Sequence, residues 1–479
     1  MKSLCLALFG VSASAAPLLV SEPQNAALVT PHRIETVASG LRVPWELRLL
    51  PDGRQIFTER EGRVRIIKEG RLLDEPALTL PVSARIKMGL LGLAITPEAV
   101  TPPAVFLAWN RETTEGHFEL RVERYHWDGD HLVDPHPLLE GIPAWENHTG
   151  CRLEWGPDNN LWVTTGDAND PPLAQNLERL AGKILRIHPD GTIPEDNPLV
   201  GEANVRTQIW SYGHRNPQGI AFQPGTGRLY ASEHGPNHGD ELNLVEKGAN
   251  YGWPIISHSR EAEGMKSPLI EMTPAVGPGR LLFYQGTAFP ELRGTLLLAC
   301  LRGASVLRIA LDGEGHPASV DRLWNQKWGR IRFITEAPDG SLWISTSMFD
   351  PPEAHGNAPD DRILRIVADP AGTIESPVTS SAPAPPIFTP ETRDPATLIA
   401  FACAACHGPE LQGGLQRNLL SGEWKFAHDD QDLERILSEG LPLAGMPPSK
   451  DLLNPAQIQI IAEFIRHHRN SPQSEPESN

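Results

Sequence analysis

Only five cysteines serve this 479-residue chain, and just one closely spaced pair occurs among them. No second pair exists to complete a structural zinc site. Positive charge is also short: 42 Lys and Arg stand against 60 Asp and Glu, a formal net charge of −18. That balance argues against nucleic acid or an anionic membrane surface as a partner. Long apolar runs are missing as well. The stretch over residues 4–11 is too short to span a bilayer, and no other segment is long and apolar enough. Hydrophobic residues make up 40% of the chain, an ordinary share, so a packed core is expected. The length suits two or three domains.

The close cysteine pair is Cys403-Ala404-Ala405-Cys406-His407. Two thiols with this spacing form thioethers to haem vinyl groups, and the adjacent imidazole takes one axial face of the iron. The competing reading is a structural or redox Cys pair. At the other end, residues 1–16 have the pattern of a secretory signal: Lys2, an apolar run, then Ala13-Ser14-Ala15. Cys5 would leave with it. Export and covalent haem support each other, so a periplasmic location is expected.

Residues 369–393 are rich in Pro, Ser, Thr and Ala and read as a linker, and residues 471–479 as a polar, disordered tail. Ahead of the linker the chain repeats itself. Each copy is a turn, a β-rich run, a variable loop and a second β-rich run. Six copies begin near Pro51, Pro102, Pro157, Pro224, Arg293 and Pro338. Such units read as propeller blades, which predicts an all-β six-bladed propeller over residues 30–368. A small all-α cytochrome c domain is predicted over residues 394–470.

Four clusters in the propeller carry possible chemistry. His148, with Asp167 at the end of the next strand, suits an oriented general base, or else a plain surface hydrogen bond. Arg215 and Asn216 lie between glycines in Gly213-His214-Arg215-Asn216-Pro217-Gln218-Gly219. They suit carboxylate binding, or a blade-connecting turn. Gly235-Pro236, near Asp240, Glu241 and Tyr251, offers carbonyls and carboxylates to calcium, or is a tight turn beside an acidic surface. Arg302, Arg330 and Arg332 would make a polyanion site if they converge, and surface arginines if they do not. Arg330 and Arg332 alternate, so a strand would put them on one face.

Together these clusters resemble the soluble pyrroloquinoline quinone (PQQ)-dependent sugar dehydrogenases, the glucose/sorbosone or aldose dehydrogenase family. Pro44-Trp45, Gly89-Leu90-Leu91-Gly92, Asn250-Tyr251-Gly252-Trp253-Pro254 and the Arg330/Arg332 pair before Pro338-Asp339-Gly340 extend the resemblance across nearly the whole propeller. It implies that His148 takes the proton of the substrate's anomeric hydroxyl and that Asp167 orients it. It implies that Arg215, Asn216, Arg302, Arg330 and Arg332 hold PQQ, a tricarboxylate. Gly235 and Pro236 would hold Ca²⁺ against the quinone, and Glu241 and Tyr251 a second calcium ion. The pattern is broken at Lys87-Met88, where the family has Gln or Glu, at Asn147, where the glucose enzyme has Asp, and at Thr273, where an aromatic is usual. Substrate contacts are therefore not carried over.

Residues 394–470 resemble a class I cytochrome c. Asp394-Pro395 opens a helix that delivers Cys403, and Ile458, Ile461, Ala462 and Ile465 recur at helical spacing. The resemblance makes His407 and Met446 the axial ligands of a haem c held by Cys403 and Cys406. The whole chain then reads as a periplasmic sugar dehydrogenase that passes electrons through haem to an external acceptor, such as a soluble cytochrome or a terminal oxidase. Rival readings are oxidation of an alcohol or an aldehyde such as sorbosone, a calcium-dependent lactonase, and a haem relay without catalysis. Cys151 and Cys300 are either a disulfide or small buried residues.

Overall fold

A computed structural model describes residues 17–21, 23–97, 103–236, 238–258, 260–348, 361–374, 392–403, 411, 419–420, 429–440, 449–450 and 453–469. The signal segment, most of the linker, the tail, Cys406, His407 and Met446 lie outside the described residues.

Six sheets, antiparallel apart from two short added strands, follow one another along the chain, each led by an innermost strand. Those strands are Pro44–Leu49, Leu90–Ile95, Leu153–Trp155, Pro217–Phe222, Pro278–Phe283 and Ile331–Glu336. The expected repeats correspond to the second and third strands of the sheets. Gln55–Glu59 and Arg63–Lys68 belong to blade 1, and Leu342–Thr346 and Asp361–Ala368 to blade 6. The six-bladed reading is therefore correct, with each repeat starting one strand late. Its turn signal, Pro-Asp-Gly in blades 1 and 6, follows the innermost strand rather than preceding it.

Ring closure is non-local. His32–Leu41 pairs antiparallel with Asp361–Ala368 and becomes the outermost strand of blade 6. Two short strands ahead of residue 30 also join the propeller: Leu18–Val20 pairs parallel on blade 4, and Gln24–Ala26 on blade 5.

Second strands such as Leu161–Thr165, Leu296–Cys300 and Leu342–Thr346 are buried at every position. Both faces of each pack against neighbouring blades, so apolar residues replace the alternation of a half-exposed strand. Leu297 and Ala299 of blade 5 meet Leu342 and Ile344 of blade 6 in one core. Each fully buried aliphatic side chain contributes about 1.5–3 kcal/mol. Near the axis the innermost strands crowd: a Cβ at Gly219 would strike the Gly279 carbonyl, and one at Gly279 would strike the Arg332 carbonyl. Glycine is needed there for close approach.

The C-terminal region has three described helices: α1 (Pro395–Ala402), α2 (Asp430–Glu439) and α3 (Pro455–Arg469). The Asp394 side chain caps α1 by accepting from the Thr397 amide at 2.9 Å. Helix α1 ends at Cys403, as the sequence suggested. Ile458, Ile461, Ala462 and Ile465 form the buried stripe of α3, in one core with Leu398, Ile399, Cys403, Leu433 and Leu437. Among the described residues no helix is long and apolar enough to cross a membrane.

Candidate active site at one mouth of the propeller channel

His148 lies in the loop before the innermost strand of blade 3, and Asp167 just past the second strand of the same blade. Both are therefore at one end of the sheet. His148 holds a positive φ of 55°, a conformation that costs a non-glycine residue energy. Two features hold it there. Its carbonyl accepts from the Ala168 amide at 3.0 Å. Gly166 packs under it, where any Cβ would strike the His148 carbonyl.

The His148 Nδ1 lies 2.8 Å from Asp167 Oδ1. Asp167 is fully buried and also accepts from the Asn169 amide and from Trp253 Nε1, both at 2.8 Å. Burial alone would raise its pKa, but the hydrogen bond and charge of His148 and the Arg215 charge hold it below the ordinary value. An ionised Asp167 accepts the Nδ1 proton and leaves Nε2 as the free base position. Burial, with help from the Arg215 charge, pushes the His148 pKa down to about 4, against the pull of Asp167. The imidazole is neutral at neutral pH and ready to accept a proton.

This sets a pH dependence. A base role for His148 requires the neutral ring, so the rate would be lost as pH falls through about 4, while an exposed imidazole would lose it near 6.5. A plot of log kcat/KM against pH should be flat from about 5.5 to 7.5 on these values. An acid limb centred near 6.5 would contradict the buried-base arrangement.

The expected arginines reach the same end of the ring. Arg215 donates to the His234 carbonyl at 3.0 Å and to the Gly235 carbonyl at 2.6 Å, and its guanidinium lies 5.3 Å from the Trp253 ring centroid. Asn216 is buried, with Oδ1 accepting from the Gly150 amide and Gln218 Nε2. Arg332 is buried too, stacked 3.8 Å from the Trp45 ring centroid and donating to Gln218 Oε1 at 3.2 Å. Arg330 precedes the strand that Arg332 lies on, and it donates to the Ser347 carbonyl at 3.2 Å. Arg302 is exposed. Burial pushes Arg332 well below its ordinary pKa and Arg330 down to about 10, and each feels a neighbouring arginine. Such crowded, partly desolvated cations suit a polycarboxylate.

Gly235 lies beside the buried Asp240, which accepts from its amide at 2.9 Å and from the Gly277 amide at 2.7 Å. Carbonyls of Gly235 and Pro236 are hard oxygen donors of the kind Ca²⁺ takes. Glu241 and Tyr251 both lie against Glu233. Glu241 is its cross-strand partner, and Tyr251 stacks on His214, whose Nδ1 is 3.0 Å from Glu233 Oε2. Burial and the Glu233 charge push the Glu241 carboxyl well up. The Tyr251 hydroxyl is used locally, donating to the Leu244 carbonyl at 2.5 Å. Among the described residues no group of three or more His, Cys, Asp or Glu side chains forms a metal cluster. Cys151 and Cys300 are buried, free thiols in blades 3 and 5.

Several functional neighbours escaped the sequence reading. Trp253, noted only within the Asn250–Pro254 motif, orients Asp167. Lys87 lies close enough for its charge to act on His148, whereas Met88 is core. Behind Arg332, Glu46 is fully buried and pairs with Arg48, Arg152 and Arg280, and Glu154 pairs with Arg48 and Arg280. The signal was present in the charged i, i+2 pairs Glu46/Arg48 and Arg152/Glu154, which put two charges on one strand face.

The comparisons agree with this architecture. Residues 41–352 match the family described as Glucose / Sorbosone dehydrogenase, and residues 390–465 match Cytochrome C oxidase, cbb3-type, subunit III. An aldose sugar dehydrogenase of Escherichia coli is 31% identical over 332 residues, covering 65% of this chain and 89% of that protein. A quinoprotein glucose dehydrogenase B of Acinetobacter calcoaceticus is 33% identical over 260 residues, covering 48% of this chain and 54% of that one. The PQQ-bound aldose sugar dehydrogenase of Streptomyces coelicolor superposes with a TM-score of 0.62 at 31% identity, over 71% of this chain and 99% of that one. Fold and site together define a six-bladed propeller oxidoreductase. The chain belongs to the glucose/sorbosone dehydrogenase family and carries a C-terminal cytochrome c domain.

Proposed function

We propose that this protein oxidises an aldose sugar to its lactone in the periplasm, using PQQ and Ca²⁺, and passes the electrons through a covalent haem c to an external acceptor. The observation that carries the reading is a neutral His148, oriented by Asp167, at the same channel mouth as the arginine cluster. Arg215, Arg330 and Arg332 would hold the quinone's carboxylates, with Asn216 and Arg302 at its edges. Gly235 and Pro236 would hold the calcium ion, and Glu241 and Tyr251 a second one. Bound there, the quinone supplies a two-electron acceptor, calcium a Lewis acid and the haem a one-electron exit.

The protein's own part is proton handling and orientation. His148 Nε2 takes the proton of the anomeric hydroxyl while the C1 hydride leaves, and a lactone remains. Asp167 keeps the ring in the Nδ1–H tautomer and stabilises the imidazolium that forms. Trp253 and the Asn169 amide fix Asp167 in turn. Cys403 and Cys406 would anchor the haem, with His407 and Met446 as axial ligands.

The test is anaerobic absorption spectroscopy of full-length protein loaded with PQQ and Ca²⁺, with aldoses added singly. Haem reduction should require PQQ, sugar and Ca²⁺ together. Stripping calcium with a chelator should abolish it, and adding Ca²⁺ back should restore it. Lactone hydrolysis without PQQ would overturn the oxidative reading. Reduction that survives chelation would overturn the calcium role.

A further inference from the structure

A second opening lies at the opposite mouth of the channel. It is a cavity of about 480 Å³ reaching Glu154 and Arg280 of the buried ion network. Its walls include the turn at Gly156 and Pro157 in blade 3 and the turn at Gln223 and Pro224 in blade 4. Those turns precede the second strands Leu161–Thr165 and Leu229–Glu233, while Asp167 and Gly235 follow them. Five residues of strand separate the two ends, roughly 15–20 Å. This cavity is therefore not the His148 site.

Three aromatic residues, Trp155, Phe222 and Phe283, line it together with Leu281 and Gln223. Two observations fix the chemistry of what fits. Arg48, Arg152 and Arg280 face only Glu46 and Glu154 in the network, a surplus of one buried positive charge. A cationic ligand is therefore disfavoured. Yet the more open member at the cavity is the carboxylate: the Glu154 side chain is 21% exposed, against 6% for Arg280. An incoming anion would meet Glu154 first. Arg280 lines the cavity and is nine-tenths buried, so it offers the ligand little beyond the positive charge behind Glu154.

A neutral polyol with an apolar ring face satisfies all of this. Its hydroxyls donate to Glu154, and its C–H face lies on the apolar lining. We infer that the cavity formed by Trp155, Phe222, Phe283 and Glu154 is a second, non-catalytic saccharide site on the face opposite His148.

Saturation-transfer NMR tests this on full-length protein without PQQ, so the outcome does not depend on the dehydrogenase reading. Maltose should show transfer and bind equally to wild type and to His148→Ala. Gln223→Trp, a change at a half-exposed rim position, should raise the maltose Kd at least tenfold with no change in melting temperature. Phe222→Ala, which removes one wall, should weaken binding in the same direction. Benzoate and benzylamine, added as competitors, should leave the maltose transfer that Gln223→Trp removes unchanged. The proposal is overturned if maltose shows no transfer, if both rim variants bind it as wild type does, or if either charged probe displaces maltose.

Discussion

Replacing His148 by alanine should lower sugar-driven haem reduction by about 10²–10⁴-fold while leaving PQQ bound. The magnitude is that of a positioned general base. It is large here because the site offers no obvious substitute. Asp167 is fully buried and accepts from Trp253 and Asn169, so it cannot easily swing to the substrate. His234, on the neighbouring blade, has its Nε2 committed to the Pro278 carbonyl at 2.8 Å. The loss should fall on kcat rather than KM, because the proton is shared with the base only in the transition state. Asp167→Asn should fall between the two, since an amide carbonyl can still accept the Nδ1 proton but stabilises the imidazolium less. Single-turnover haem reduction with PQQ binding followed in parallel separates the effects. A His148→Ala protein that keeps more than a tenth of the wild-type rate would remove His148 from the base role. One that loses PQQ as well would make it a binding residue.

Much of this architecture could be read from residue order. The six β-rich repeats set the blade count because every blade supplies a largely buried second strand, whose apolar run is followed by a β-rich third strand such as Arg63–Lys68. The innermost strands were harder to read. Pro217–Phe222 opens on Pro-Gln-Gly, with its first residues near the channel axis, so its start looks like a loop. The closing strand His32–Leu41 was also hidden, because its partner lies more than 300 residues away and no local pattern announces that pairing. At the site, His148 and Asp167 were legible as chemistry but not as geometry. Their 19-residue separation becomes a 2.8 Å contact only because one strand pair brings both loops to the same end of blade 3. The channel charges were invisible as a group. Glu46, Arg152 and Arg280 come from three different blades and meet only when the ring closes.

Arg332→Met should move the PQQ-free and PQQ-bound proteins in opposite directions. Without PQQ, Arg332 is a desolvated cation whose charge is opposed by Arg330, Arg152 and Arg60, with Asp361 offsetting part of this. Its stacking on Trp45 works the other way and stabilises it. Methionine keeps an unbranched, polarizable side chain over the indole and removes the repelling charge. Replacing a crowded buried cation by an apolar side chain of similar length is commonly neutral or stabilising. The PQQ-free melting temperature should therefore hold or rise. With PQQ the same change should remove the proposed charge-assisted contact of about 1.5–3 kcal/mol, which corresponds to roughly 10- to 150-fold weaker binding. The melting-temperature gain on adding PQQ should shrink accordingly, because stabilisation by a ligand follows its affinity. Thermal melts with and without PQQ, alongside a direct titration, decide the matter. A large drop in PQQ-free stability with unchanged PQQ affinity would make Arg332 a structural residue held by Trp45. Weaker PQQ binding without loss of PQQ-free stability would mean that the cluster is built for its ligand at the expense of the empty protein.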